Sequence, residues 1–129
     1  MKRLAQSSAA HMAGAFLAMG AWAMAANWAH PWPASPIAGL VQGSLSAAIT
    51  LGMKRGLEAL SARLSGLTAL VLPPLAAGVA SLTLLSIIHA ATGTPEILRT
   101  IAVPSSVATL YAAGYSLTLW RLKEAGDGQ

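Results

Sequence analysis

Four long runs of apolar residues follow one another along the chain, separated by charged or helix-breaking residues. The runs extend over about residues 9–30, 36–54, 70–91 and 96–121. A helix needs about 20 apolar residues to cross the ~30 Å hydrocarbon core of a bilayer. The pattern therefore predicts an all-α fold, an integral membrane four-helix bundle with short loops that forms a single domain over residues 1–129. Residues 122–129 are predicted to be a short polar cytoplasmic tail.

Prolines and a capping pattern place the ends of these runs. Pro31 and Pro33 end the first run, because two such closely spaced prolines cannot continue a helix. Pro73-Pro74 indicate that the third helix either starts near Pro73 or kinks there. The fourth helix is predicted to begin with Thr94 as its N-cap, Pro95 at its first position and Glu96 beside the positive end of the helix dipole.

The connection between the second and third runs, residues 54–72, has a helical pattern of its own. Its apolar residues recur at spacings of three and four, which places them on one side of a helix: Leu57, Leu60, Leu64, Leu67 and Val71. The segment is therefore either a cytoplasmic extension of the second helix or an amphipathic helix in the membrane interface. Typical connection lengths favour a tight hairpin between two spans.

Composition and charge agree with a membrane environment. Hydrophobic residues make up 55% of the chain and charged residues 9%, whereas an ordinary soluble domain has about 25% charged residues. Seven of the eight basic residues fall on one side of the predicted topology, and only Arg99 falls on the other: Lys2, Arg3, Lys54, Arg55, Arg63, Arg121 and Lys123. Because cytoplasmic loops collect Lys and Arg, both termini are predicted to be cytoplasmic, in a multi-pass protein of a bacterial inner membrane. The basic residues are expected to contact anionic lipid headgroups and not nucleic acid.

A cleaved signal peptide over residues 1–26 is an alternative interpretation of the first run. Early basic residues and small residues at Ala23, Ala25 and Ala26 fit that pattern. The run is longer than the usual core of about 7–15 apolar residues, and the bulky Trp22 stands near the supposed cleavage site. These features favour an uncleaved first helix.

Small and polar residues recur along the second helix. Gly39 and Gly43 form a GxxxG step, Ser46 and Thr50 continue the same face, and Gln42 adds an amide. Small residues let transmembrane backbones approach closely, so this face is predicted either to pack against another helix or to line a path. A homo-oligomer or membership of a larger membrane complex is the expected assembly.

The polar residues with the richest chemistry fall at the helix ends opposite the basic side. The predicted topology brings six of them to one depth: Asn27, His30, His89, Thr94, Glu96 and Arg99. Ionisable residues at a membrane edge are functional candidates, and this cluster can bind a headgroup, an anion or a partner loop. The other interpretation is that these residues only complete helix ends, with Glu96 and Arg99 neutralising each other at a spacing of three.

Cofactor and enzyme chemistry has little support in the sequence. The chain has no cysteine, which excludes disulfides and thiolate ligands. His30 and His89 offer one pair of haem ligands, but there is no second pair, and Glu96 is the one carboxylate near them. No serine stands in a recognisable catalytic signature. We therefore expect no cofactor, no metal and no enzymatic activity.

These features predict a small inner-membrane protein that acts as a non-enzymatic accessory or scaffold subunit and associates through small-residue helix faces. The alternative is a small oligomeric transporter or channel for a neutral or anionic substrate, with a path lined by Gln42, Ser46, Thr50, His89 and Arg99. The predicted spans hold no acidic or basic residue near mid-depth, so proton coupling lacks a titrating group. A third interpretation is a membrane enzyme that acts on lipid.

Overall fold

The computed structural model of this chain describes the backbone of residues 2–128 and the side chains of residues 8–128. This part of the chain is all-helical, as predicted, and contains four helices: α1 (Lys2–Ala26), α2 (Ala34–Arg63), α3 (Gly66–Ala91) and α4 (Ile97–Asp127). The connections 27–33, 64–65 and 92–96 are short.

The helices form two hairpins that pack against each other. α1 packs on α2, and α3 packs on α4. α2 and α4 also meet across the bundle, whereas α1 and α3 do not touch within the described residues. We term the end that holds the connections 27–33 and 92–96 the histidine end, and the end that holds the connection 64–65 the basic end. The described basic residues other than Arg99 lie toward the basic end, while the side chains of Lys2 and Arg3 lie outside the described residues.

The second helix is longer than the predicted span. α2 continues from Ala34 to Arg63, and α3 begins at Gly66 after only Leu64 and Ser65. Gly66 has a φ of 60°, a left-handed conformation that favours glycine. Residues 54–63 therefore extend α2, and the alternative of a separate amphipathic helix is wrong. At 1.5 Å per residue, α2 is about 45 Å long and exceeds the ~30 Å core.

Two further helix boundaries differ from the prediction. α3 includes Pro73 and Pro74 well inside the helix, so it does not start near Pro73. α4 extends to Asp127, so most of the predicted polar tail is helical. Because α4 continues this far, its last turns lie next to the end of α2, where Lys123 makes the contacts described below.

Apolar and polar side chains are distributed in the opposite way to a soluble protein. Among residues 8–128, buried apolar positions are mostly alanine, and eleven polar residues are buried, including Asn27, Gln42, His89 and Thr100. Large apolar side chains lie outside, such as Leu98, which is 81% exposed. Water-soluble folds bury such side chains and leave polar ones outside. The surface of this bundle is therefore suited to lipid.

Three of the four helices are long and apolar enough to cross a membrane: the segment Ser8–Ala26 of α1, and the helices Ala34–Arg63 and Gly66–Ala91. This indicates a membrane protein. α4 is long enough but rich in hydroxyl side chains, and it does not reach the same apolarity. Four spans were predicted, so the fourth stays a prediction.

Glycines bring α1 and α2 into close backbone contact. A Cβ atom added to Gly43 would lie 2.9 Å from the Phe16 carbonyl oxygen, and one added to Gly20 would lie 3.0 Å from the Gly39 carbonyl oxygen. A Cβ on Gly39 would lie 3.1 Å from the Gly20 carbonyl oxygen. The Gly39–Gly43 face thus packs on α1 of the same chain, and it is not available for association with a second chain.

Lys123 caps the end of α2 from the end of α4. Its Nζ donates hydrogen bonds of 2.8 Å to the Ser61 carbonyl and 2.7 Å to the Leu64 carbonyl. These carbonyls lie at the C-terminus of α2, where a cation complements the helix dipole. Of the basic residues predicted to face headgroups, Lys123 therefore has a structural partner within the chain.

We expect Lys123→Met to lower the free energy of unfolding by about 0.5–1 kcal/mol, because the end of α2 loses its cationic cap. Arg121→Met is the matched control, since Arg121 is exposed on the same turn. The measurement is unfolding in mixed micelles at increasing mole fractions of sodium dodecyl sulfate. Equal effects of the two substitutions would show that the cap contributes nothing specific.

Candidate functional site

The histidine end contains a chain of hydrogen bonds centred on His89. Its Nδ1 lies 2.6 Å from Thr94 Oγ1, and its Nε2 lies 2.8 Å from Gln42 Oε1. Gln42 Nε2 in turn donates to Ser46 Oγ at 2.8 Å. The side chains of His89 and Gln42 are completely buried. This network, which we term the His89 network, ties α2 to α3 and to the connection before α4.

The partners of His89 fix its tautomer. An amide oxygen can only accept, so Nε2 must carry the hydrogen that is donated to Gln42 Oε1. In the neutral ring Nδ1 then accepts from the Thr94 hydroxyl. The neutral imidazole therefore satisfies each polar atom that it touches, and no ring nitrogen remains to bind a ligand.

A second network, centred on Asn27, joins the end of α1 to the start of α4. Asn27 Oδ1 accepts a 3.0 Å hydrogen bond from the Glu96 backbone N–H. Asn27 Nδ2 donates to Ala23 O at 2.8 Å and to Thr100 Oγ1 at 2.7 Å. The Thr100 hydroxyl donates to the Glu96 carbonyl at 2.6 Å. Asn27 therefore caps α4 from the connection that follows α1.

This arrangement corrects the predicted start of α4. The N-cap is Glu96 and not Thr94, and no side chain of α4 itself caps the helix. Thr94 bonds to His89, while Asn27 satisfies the backbone N–H of Glu96. Helix starts leave four unpaired N–H groups, and here a side chain distant in sequence takes one of them.

Glu96 pairs with His30 and not with Arg99. His30 Nε2 lies 3.0 Å from Glu96 Oε1, with the two side chains 34% and 40% exposed. Arg99 is exposed, and its backbone carbonyl accepts a 2.9 Å hydrogen bond from Trp22 Nε1. The expected neutralisation of Glu96 by Arg99 is therefore replaced by a partly exposed pair with His30.

The structure thus brings together five of the six predicted residues at this end, and Arg99 lies at their exposed edge. Gln42 and Ser46, predicted on a packing or path-lining face, join the same cluster through His89. Thr100 was not predicted. The sequence feature that could have identified Thr100 is its position four residues after Glu96, one turn into the helix.

We expect Asn27→Ala to lower the free energy of unfolding by about 1–2 kcal/mol, as the loss of an N-capping side chain does. The substitution leaves the Glu96 N–H and the buried Thr100 hydroxyl without this partner. Thr83→Val is the control, because the exposed Thr83 hydroxyl bonds only within its own helix, to the Val79 carbonyl. A loss for Asn27→Ala no larger than for Thr83→Val would contradict the capping role.

Two adjacent cavities form a cleft at the basic end between α1, α2 and α4. Its outer cavity has a volume of about 430 Å³ and its inner cavity about 220 Å³, and both are bordered by His11, Thr50 and Tyr111. The outer cavity also borders Lys54, Arg55, Glu58 and Tyr115, and the inner one borders Met19, Ser46, Ile49, Leu85, Pro104 and Val107. Tyr115 donates a 2.5 Å hydrogen bond to Glu58 and stacks on Tyr111.

The described residues contain no cluster of side chains suited to binding a metal ion. No group of three or more histidine, cysteine, aspartate or glutamate side chains within residues 8–128 could hold an ion. His30 and His89 belong to separate networks, and both ring nitrogens of His89 are engaged. The two histidines are therefore not arranged as an opposed pair of haem ligands.

No protein-family model, curated protein or solved structure matches this chain. Its function must therefore be inferred from the residue distribution, the two networks and the cleft.

Proposed function

We propose that this chain is a multi-pass protein of a bacterial inner membrane, with four spans and both termini cytoplasmic, that acts as a non-enzymatic accessory or scaffold subunit. One observation carries the proposal: polar side chains such as Asn27, Gln42 and His89 are fully buried, while leucines cover the surface. In lipid, hydrogen bonds between helices hold a bundle together because apolar side chains gain nothing by leaving the bilayer.

The charge distribution supports the orientation. Lys54, Arg55, Arg63, Arg121 and Lys123 lie toward the basic end. Positively charged residues remain on the cytoplasmic side during insertion, so the basic end is cytoplasmic. The fourth span follows from the pairing of α4 with α3 and from Lys123 at its end, which returns the chain to the basic end.

The topology is tested by labelling single cysteines, for which the cysteine-free chain is well suited. Ala62→Cys lies at the basic end and Ala91→Cys at the histidine end, and both positions are exposed. In intact cells, a membrane-impermeant maleimide is expected to label Ala91→Cys, whereas Ala62→Cys reacts only after the membrane is opened. The reverse pattern, or labelling of both, would overturn the orientation.

The His89 network supports a scaffold rather than an enzyme built on His89. Its polar atoms bond to one another, and neither cavity of the cleft is bordered by His89 or Gln42. A catalytic histidine needs a free nitrogen within reach of the substrate. The network instead fixes the relative position of α2, α3 and α4.

A separate small-residue surface supports association with other chains. Gly52 and Gly56 repeat the GxxxG spacing, and a Cβ atom on either would meet nothing within 4 Å. Both border a cavity of about 340 Å³ between α2 and α3, next to Ala76, Ala77 and Ala80. Such surfaces admit another transmembrane helix at close range. This surface takes the role first expected of Gly39 and Gly43.

Native mass spectrometry of the protein released from its own membrane tests the scaffold function. We expect a defined assembly that contains this chain and a partner, and we expect Gly52→Leu with Gly56→Leu to dissociate it. Gly14→Leu is the control, because Gly14 also lacks neighbours but lies on α1, away from this surface. A monomer with no partner in every preparation would overturn the scaffold function.

A transporter is the second candidate, favoured by the cleft that leads inward from the basic end. The cleft stops at Ser46, and the bonded pair of Gln42 and His89 follows it. We therefore expect proteoliposomes loaded with a chloride-sensitive dye to show no flux above protein-free liposomes. A flux that Gln42→Leu alters would favour the transporter.

A further inference from the structure

The proposed scaffold function does not account for the cleft at the basic end. Its two cavities share His11, Thr50 and Tyr111 as borders, so they lie next to each other along the bundle. The space lies between α1 and α4, with α2 as its floor. It is open at the level of Lys54 and Arg55.

The depth of the cleft matches one leaflet of a bilayer. Along α2 it extends from Glu58 to Ser46, which is about 18 Å at 1.5 Å per residue. Along α4 it extends from Tyr115 to Pro104, which is about 16 Å. Half of the ~30 Å hydrocarbon core is about 15 Å. An acyl chain that enters at headgroup level would therefore reach the inner end near the midplane.

The chemistry of the cleft changes along this depth. The mouth holds the cations Lys54 and Arg55, and the carboxylate of Glu58 accepts a hydrogen bond from Tyr115. The inner cavity is bordered mainly by apolar side chains, among them Met19, Ile49 and Val107. A basic mouth over an apolar interior is complementary to an anionic headgroup followed by a hydrocarbon chain.

The inner cavity of the cleft does not extend to the Gln42–His89 pair. Ser46 borders it and accepts a hydrogen bond from Gln42, which is itself held by the buried His89. Leu85, 1% exposed, borders the same cavity. The cleft therefore does not continue to the histidine end, which fits a resident lipid and not a solute that crosses the bundle.

We propose that the cleft binds one acyl chain of an anionic lipid from the cytoplasmic leaflet, with the lipid headgroup at Lys54 and Arg55. This inference rests on the membrane orientation given above as the proposed function. Cationic residues near the cytoplasmic surface attract anionic headgroups. Because the bilayer is as apolar as the cleft, close packing against the interior side chains, and not removal from water, holds the chain.

The test uses the full-length protein in nanodiscs that contain equal amounts of phosphatidylglycerol and phosphatidylcholine. Native mass spectrometry counts the lipids that stay bound after gradual removal of the surrounding bilayer. We expect one retained phosphatidylglycerol per chain, in excess over phosphatidylcholine. No retained lipid, or equal retention of the two, would overturn the proposal.

Filling the inner cavity tests the acyl-chain site. Ala108 borders the inner cavity, and we expect Ala108→Trp to remove most of the retained lipid, because the indole ring occupies the space of the acyl chain. Ala113→Trp is the matched control, because Ala113 is exposed on the same helix and borders neither cavity. Should Ala108→Trp fail to fold, Ala15→Leu fills the same cavity from α1. Retention unchanged by either filling variant would overturn the proposal.

Removing the charges at the mouth tests the headgroup site. We expect Lys54→Gln with Arg55→Gln to lower the preference for phosphatidylglycerol over phosphatidylcholine about tenfold or more. The control pair Arg63→Gln and Arg121→Gln removes the same charge from the same end but outside the cleft, and its effect should stay within about twofold. A protein that shows the expected cysteine labelling but retains no lipid would overturn this inference alone. Failure of the labelling itself would instead overturn the proposed orientation.

Discussion

His89→Ala is expected to lower the free energy of unfolding by about 2–4 kcal/mol, because it leaves two buried partners unsatisfied. Gln42 Oε1 loses the N–H that it accepts at 2.8 Å, and the Thr94 hydroxyl loses the ring nitrogen at 2.6 Å. Both partners are buried, and water cannot easily replace the imidazole. The measurement is reversible unfolding at increasing mole fractions of sodium dodecyl sulfate, followed by tryptophan fluorescence.

His30→Ala is the matched control for this prediction. The His30–Glu96 pair is partly exposed, and such pairs contribute about 0–1 kcal/mol. A double-mutant cycle of His89→Ala with Gln42→Leu isolates the interaction of the two side chains, and we expect a coupling energy of about 0.6–1.7 kcal/mol. A coupling energy near zero, or an equal loss for His30→Ala, would contradict the structural role of the His89 network.

Gly43→Leu is expected to lower the free energy of unfolding by about 3 kcal/mol or more, because even a Cβ atom at Gly43 meets the backbone of α1. That atom would lie 2.9 Å from the Phe16 carbonyl oxygen and 3.1 Å from the Phe16 ring. The ring can rotate, but the carbonyl cannot move without α1. The two helices must therefore separate, which also disturbs the contact between Gly20 and Gly39.

Gly52→Leu is the control in the same helix, since a Cβ atom there meets nothing within 4 Å. Leucine favours a helix over glycine by up to about 1 kcal/mol, so the monomer with Gly52→Leu should be as stable as the original or more stable. The same unfolding assay compares the two variants at a protein concentration where the chain is monomeric. A similar loss at both positions would show that the close contact of α1 and α2 contributes little.

The two hydrogen-bond networks and the lipid site lie at opposite ends of the bundle. The His89 and Asn27 networks hold the helices at the histidine end, where the polar atoms of both networks are bonded. The cleft at the basic end remains open between the hairpins. Loss of His89 should therefore reduce stability, whereas loss of Lys54 and Arg55 should change lipid preference with little effect on stability.

The sequence predicted which end of the bundle holds the candidate residues, but not which of these residues bond to one another. The sequence placed Asn27, His30, His89 and Glu96 at one end of the bundle, and the structure places them there. It did not identify Gln42 as the partner of His89, although both residues were noted. These partners are separated by 47 residues, and their contact depends on how α2 and α3 pack.

The sequence by itself determined the four helices and the separation of basic from polar ends, because apolar run length, proline positions and charge are local properties. Only the tertiary structure decided that Glu96 pairs with His30, that Asn27 caps α4 and that Gly43 packs on Phe16. It also decided that residues 54–63 continue α2 and that a cleft remains between α1, α2 and α4 at the basic end. The physical reason is that the helical repeat fixes which residues share a face of one helix. The rotation and spacing of neighbouring helices then decide which residues of another helix that face contacts.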